Sequence, residues 1–171
     1  MAPALMPLVR NETLDFGMGP RPAKADPAFT FRPLFRVEHA LVARKGHPLT
    51  KASSIADLVD VDWLDLAKVT DTNGPLERMF AAAGLPAPRQ VVQLESYNTI
   101  LAMIAKSNMM SIFPRLLLVE SFARDVLQEI KVAERAPPLS VALFTRAGSQ
   151  LKPMAAAMAA AVTAVARSLA N

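Results

Sequence analysis

Residues 63–84 read WLDLAKVTDTNGPLERMFAAAG, and this stretch decides the fold class. Trp63 to Leu66 is an apolar run of strand length. The loop Ala67 to Gly74 (AKVTDTNG) is the most polar stretch of the chain. It ends on Asn73-Gly74-Pro75 with Glu77 in the first turn, a strong helix start. The helix PLERMFAAA then buries Leu76, Met79, Phe80 and Ala83 and stops at Gly84, with Pro86 beyond. A strand that feeds a helix through a polar junction is the repeating unit of parallel sheets joined by helical crossovers, so the chain reads as α/β.

The same alternation continues in both directions. Towards the C-terminus, Val91 to Leu94 is a strand. Tyr97, Ile100, Leu101 and Ile104 then recur at helical spacing, so a helix starts directly after Glu95-Ser96. Met109 to Phe113 is the next strand, and Pro114 opens a helix through Phe122. Leu127 to Val132 and Leu139 to Arg146 are strands before an Ala-rich terminal helix. Towards the N-terminus, Ser54 is an N-cap with Asp57 at the capping-box position of the short helix IADLV. Pro48 keeps His47 out of helical geometry in the turn KGHPL. Phe31 to Phe35 leads into the strand His39 to Arg44, a connection able to cross between lobes. Leu14 to Met18 reads as a buried strand stopping at Gly19-Pro20, and Ala4 to Arg10 as the end of a helix.

Composition narrows the function classes. About half of the 171 residues are apolar (52%), enough for a real core without staples. With no cysteine, disulfides, thiolate zinc sites and cysteine nucleophiles are excluded, and the expected compartment is the cytoplasm. The start MAPALMPLVRNE does not read as a signal peptide. The run Pro153 to Ala166 is too short and too Ala-dominated for a bilayer that needs about 20 apolar residues, so no membrane is expected as a partner. The net charge of +4 is scattered, without the basic stripe of a direct nucleic-acid binder, and suits a site that prefers anions.

Catalytic constellations are missing from the pattern. His39 and His47 lie on a strand and a turn without carboxylates at ligand or triad spacing, and both read as structural. G-x-S-x-G, G-x-x-x-x-G-K and H-E-x-x-H do not occur. Gly17-Met18-Gly19 lacks the third glycine of a nucleotide fingerprint and reads as a strand end needing positive φ or a close backbone approach. Asp60, Asp62 and Asp65 surround one strand and read as a solvated edge. Arg32 and Arg36 flank the crossing and are within reach of an anion, while Trp63 and Tyr97 read as core. What remains is a set of polar strand-to-helix junctions, Thr70 to Gly74 and Glu95 to Asn98. In parallel α/β sheets ligands bind at the carboxyl ends of strands, where helix N-termini offer free N–H groups; helix capping alone also explains each such residue. No enzyme activity, cofactor or metal is expected.

The order LVRNETLDFGMGP, FRPLFRVEHALVARKGHPL, SIADLVDVDWLDL, with the Ile112-Phe113-Pro114 stop, resembles the effector-binding domain of LysR-type transcriptional regulators. ERMFAAAGLPAP, QLESYNTILAMIAKS and SQLKPMAAAM extend the resemblance from about Ala4 to the C-terminus. It implies two Rossmann-like lobes of the type 2 periplasmic-binding-protein kind, here 1–35 with 138–171 as lobe one and 36–137 as lobe two. It also implies a small organic, anionic inducer in the cleft between them. Carried onto this sequence, the ligand contacts are Gly19, Pro20, Thr70, Thr72, Asn73, Gly74, Ser96 and Tyr97. A homodimer or higher oligomer is implied, and DNA would be reached only through a helix-turn-helix module that this chain does not contain. The first strand and helix of lobe one are expected to be absent, leaving that lobe incomplete. An extracytoplasmic solute-binding protein fragment and a dimerising remnant without ligand are the alternatives.

Overall fold

The computed structural model describes residues 2–22, 24, 26–66, 74–119 and 123–168. In chain order the elements are α1 (Ala2–Arg10), β1 (Gly17–Pro20), β2 (Phe29–Val37), β3 (His39–Arg44), a 3-10 helix (Ile55–Leu58) and β4 (Trp63–Leu66). They continue with α2 (Pro75–Ala82), β5 (Val91–Leu94), α3 (Tyr97–Ile104), β6 (Met110–Pro114), α4 (Leu116–Val119) and α5 (Ala123–Val126). The last three are β7 (Leu127–Glu129), β8 (Leu139–Arg146) and α6 (Pro153–Ser168). The chain divides into two compact units, Met1–Val37 with Leu139–Asn171, and Glu38–Pro138.

The first unit is built on a three-stranded sheet of order β1-β8-β2 with both pairings antiparallel. Its central strand is apolar from Val141 to Phe144 and buried throughout. Phe144 meets Phe29 edge to face, with ring centroids 6.0 Å apart, and Phe31 at 5.8 Å. Val9 of α1 completes this cluster. Gly17 lies on the same face, where a Cβ would come within 2.4 Å of the Phe144 ring. The glycine is required by that close approach, while positive φ among the described glycines occurs only at Gly46, Gly84 and Gly148. On α6, Ala159, Thr163 and Ala166 are buried, and the Thr163 hydroxyl donates to the Ala159 carbonyl at 2.7 Å, so its polar group costs little.

Strand β1 begins at Gly17, three residues later than the Leu14 expected from apolar content. The Leu14 amide donates to the Leu8 carbonyl at 2.9 Å and belongs to the turn that closes α1, whose end includes Glu12 at φ 67°. Gly17–Pro20 forms a strand, despite poor intrinsic β preference, because β8 supplies its hydrogen-bond partners.

The second unit holds a five-stranded sheet of order β5-β4-β6-β3-β7. Strand β4 pairs in parallel with both β5 and β6, whereas β3 is antiparallel to β6 and β7. Parallel pairing among the described strands is therefore confined to β4, β5 and β6. Alternation along β4 sends Trp63 to one face and Leu64 to the other. Trp63 packs with Leu76, Met79 and Phe80 of α2, and Leu64 with Ile100, Leu101 and Ile104 of α3. The helix expected from Pro114 through Phe122 starts later, at Leu116 of α4, because Pro114 still belongs to β6; residues 120–122 lie outside the described residues. The strand expected over Leu127 to Val132 contracts to β7.

Local capping follows the sequence closely. The Asp57 carboxylate accepts from the Ser53 and Ser54 amides at 3.0 and 3.1 Å, and these bonds hold it below the usual carboxylate range. Glu134 accepts from the Ser54 hydroxyl at 2.7 Å and the Ile55 amide at 2.9 Å, which lowers its pKa in the same way.

Candidate functional site

The three parallel strands define where a ligand can enter the second unit. From β4 the chain leaves through α2 on one face and returns as β5. From β5 it leaves through α3 on the other face, passes β4 and returns as β6. The connections leaving β4 and β6 thus start towards opposite faces, and the carboxyl ends of these strands form a topological switch point. Crevices of this kind are where open α/β sheets hold ligands.

Ser96 and Tyr97 stand at this end of the sheet. Ser96 is exposed and caps α3, its hydroxyl oxygen accepting from the Asn98 amide at 3.2 Å, so its own O–H remains a donor. Tyr97 packs edge to face on Phe113 of β6, with centroids 5.0 Å apart, and so reaches across the end of β4. Burial, and secondarily the Asp65 charge, push the Tyr97 phenol up to about 12, which keeps it protonated and able to donate at neutral pH.

Gly74 caps α2 from the loop side. Its amide donates to the Glu77 carboxylate at 2.7 Å, so a side-chain anion already occupies part of that helix N-terminus. Thr70, Thr72 and Asn73 lie outside the described residues. Gly19 and Pro20 belong to the other unit, at the end of β1 opposite Ala142 and Val141. Of the eight residues expected to touch ligand, the structure thus brings Ser96, Tyr97 and Gly74 to one end of the second unit's sheet.

Asp65 corrects the sequence reading. Asp60 and Asp62 are solvated as expected, Asp60 facing Arg89 at 3.5 Å. Asp65, however, is 6% exposed on a strand with neighbours on both sides, and not on a solvated edge. Its carboxylate accepts from the Leu66 amide at 2.9 Å. The signal available in the sequence was its place inside WLDL, a strand apolar at every other position and therefore covered on both faces.

The remaining candidates sort by burial. Trp63 is fully buried and edge to face with Phe80, at 5.7 Å between centroids. His47 is buried, with Nδ1 accepting from the Leu49 amide and Nε2 3.0 Å from the Asn108 carbonyl, so both ring nitrogens are engaged. Arg32 and Arg36 are exposed on β2. Among the described residues no group of three or more His, Asp or Glu side chains is placed to hold a metal ion, and no helix is long and apolar enough to cross a membrane.

The model of the LysR substrate binding domain matches residues 1–167. The chain belongs to this family. A similar curated relative is the HTH-type transcriptional regulator GbpR of Azospirillum brasilense, 33% identical over 113 residues, which are 64% of this chain and 33% of GbpR. The LysR-family chain described here therefore spans about a third of the length of that regulator. Among solved structures, the regulatory domain of Synechocystis PCC6803 CcmR in complex with 2-PG superposes with a TM-score of 0.78 at 21% identity, covering 95% of this chain and 78% of that one. The effector binding domain of QuiR in complex with shikimate gives 0.78 at 17% identity, covering 96% and 78%. These likenesses establish the LysR effector-domain fold.

Proposed function

We propose that this chain is the effector-sensing part of a LysR-type transcriptional regulator and holds a small organic anion without making or breaking a bond. The observation that carries the reading is the switch point of the second unit. There the exposed Ser96 hydroxyl, which caps α3 and keeps its O–H as a donor, and the protonated Tyr97 phenol are the uncharged donors proposed to meet the ligand beside a helix N-terminus. Ligand-bound forms of the CcmR and QuiR domains support it. Thr70, Thr72, Asn73 and Gly74 are the proposed loop contacts, and Gly19 and Pro20 the candidate contacts of the first unit. The cytoplasm is the proposed location and a homodimer or higher oligomer the proposed state. DNA would be reached only through an attached helix-turn-helix module like those of the relatives.

Calorimetry of the whole chain against aromatic and aliphatic carboxylic acids, shikimate among them, tests the reading. A binder is expected whose affinity falls about tenfold in Ser96→Ala, the loss of one charge-assisted hydrogen bond of about 1.5 kcal/mol. A folded chain that binds none of the panel, or a binder indifferent to Ser96, contradicts it.

A further inference from the structure

Helix α6 of the first unit is apolar on its outer side as well as its inner one. Ala159, Thr163 and Ala166 are buried, and no residue between Lys152 and Arg167 is charged. Thr163 carries the only polar side chain in that span, and its hydroxyl is spent on the Ala159 carbonyl. Yet Met154, Val165 and Met158 stand 85%, 62% and 59% exposed. A helix on the surface of a globular protein ordinarily turns charged or polar residues away from its core.

Met154, Met158, Ala161 and Val165 follow one another at steps of four, three and four, the spacing of a seam between two helices. At about 100° per residue they fall within about 60° of one another and about 120° around the helix from the buried stripe. Alanines 157, 160 and 164 flank the seam and are exposed, so a second helix can come close. The two unbranched thioether side chains can adapt to its surface.

Charge selects among the possible occupants. The first unit carries eight lysines and arginines against three acidic residues, a net +5 that exceeds the +4 of the whole chain. Two of the three acids are paired within the unit, Asp26 with Arg10 and Glu12 with Arg146. Arg21, Lys24, Arg32, Arg36, Lys152 and Arg167 are exposed, the last two at either end of α6.

We propose that the exposed face of α6 is a docking surface for an acidic amphipathic helix of a partner protein. Its apolar residues would fill the seam of Met154, Met158, Ala161 and Val165, and its carboxylates would meet the basic surface of the unit. A second copy of this chain would bring a second first unit of the same sign against the first. The 16 residues of α6 also make a rod about 24 Å long, and one helix laid on it stays below the roughly 1,200 Å² of a stable dimer. An anionic membrane shares the charge preference, but the seam has no Trp, Phe or Leu to enter the acyl boundary. The inference is independent of effector binding, which belongs to the second unit.

The probe is a labelled synthetic peptide about three heptads long, with Leu and Ala along its seam and Glu at the flanking positions. Its twin carries Lys in place of Glu. Titrated into the whole chain and followed by fluorescence anisotropy and amide NMR, the Glu peptide is expected to saturate, with shifts centred on 154–165. The Lys peptide should bind at least about tenfold more weakly, and salt should weaken the Glu peptide. Met158→Glu, a change at an exposed position, is expected to lower that affinity about tenfold or more. The double variant Lys152→Glu with Arg167→Glu should narrow the preference between the peptides. No saturable binding, equal binding of the two peptides, or shifts outside α6 would overturn the proposal. So would self-association of the chain in sedimentation that Met158→Glu abolishes, which assigns the face to a second copy. Binding to phosphatidylglycerol vesicles that survives in the presence of saturating Glu peptide leaves the proposal standing, whereas vesicle binding through α6 without any peptide binding overturns it.

Discussion

The two units meet the same requirement, a sheet covered on both faces, by different means. The first relies on one central antiparallel strand, a cluster of three phenylalanine rings and a glycine whose missing side chain makes room for one of them. The second relies on parallel strands with helices leaving to opposite faces, which divides its core into two clusters about β4. Only the parallel arrangement leaves strand ends and helix N-termini pointing at one crevice. The difference teaches that chemistry-bearing groups gather in the second unit because of its topology, and that the first unit's residues are chosen mainly for packing.

This contrast can be broken, starting with the change of largest effect. Trp63→Ala removes the largest fully buried side chain of the second unit and is expected to cost about 3–5 kcal/mol in denaturant unfolding. The loss should appear as faster amide exchange along β4 and β6, with β8 less affected. Gly17→Val should do the reverse. Its added carbons collide with the buried Phe144 ring, at an expected cost of about 1–3 kcal/mol, with exchange rising along β1 and β8. If either variant loosens both units equally, the two cores are not the separate structures described.

Smaller effects sharpen the picture within the second unit. Ser54→Ala removes the 3-10 cap and the hydroxyl bond to Glu134, and a loss of about 1 kcal/mol is expected in the same unfolding measurement. Acid titration tests the two carboxylates of this cap. Asp57 and Glu134 both have folded pKa values below the ordinary range, so their contribution is present above the unfolded carboxylate pKa and is lost as pH falls through the folded values. Glu134→Gln should therefore flatten the pH dependence of the thermal midpoint in that acid window and leave it unchanged near neutrality.

Much of the second unit was legible in the sequence because its signals are local. Trp63–Leu66, Val91–Leu94, the cap at Ser96 and the Gly74-Pro75-Glu77 helix start depend on residues within a few positions of one another, and the structure places elements there. The first unit was less legible. Gly17–Pro20 has poor strand preference and becomes a strand only through a partner more than a hundred residues away. Nor does an apolar run such as VALF show whether its neighbours lie parallel or antiparallel. Asp65 was misplaced for a related reason: a charged residue in a strand reads as solvated until the strands on both sides are known.

The central claim is that a ligand is held at the carboxyl ends of the second unit's parallel strands. An NMR titration of the isotope-labelled chain with the tightest-binding acid of the panel tests it most directly. The account predicts that the largest amide shifts fall at Ser96, Tyr97 and Asn98, with a smaller response at Leu66 and Gly74. Saturable binding whose shifts fall in α6 or around the Phe144 cluster, with Ser96 to Asn98 unmoved, would contradict it.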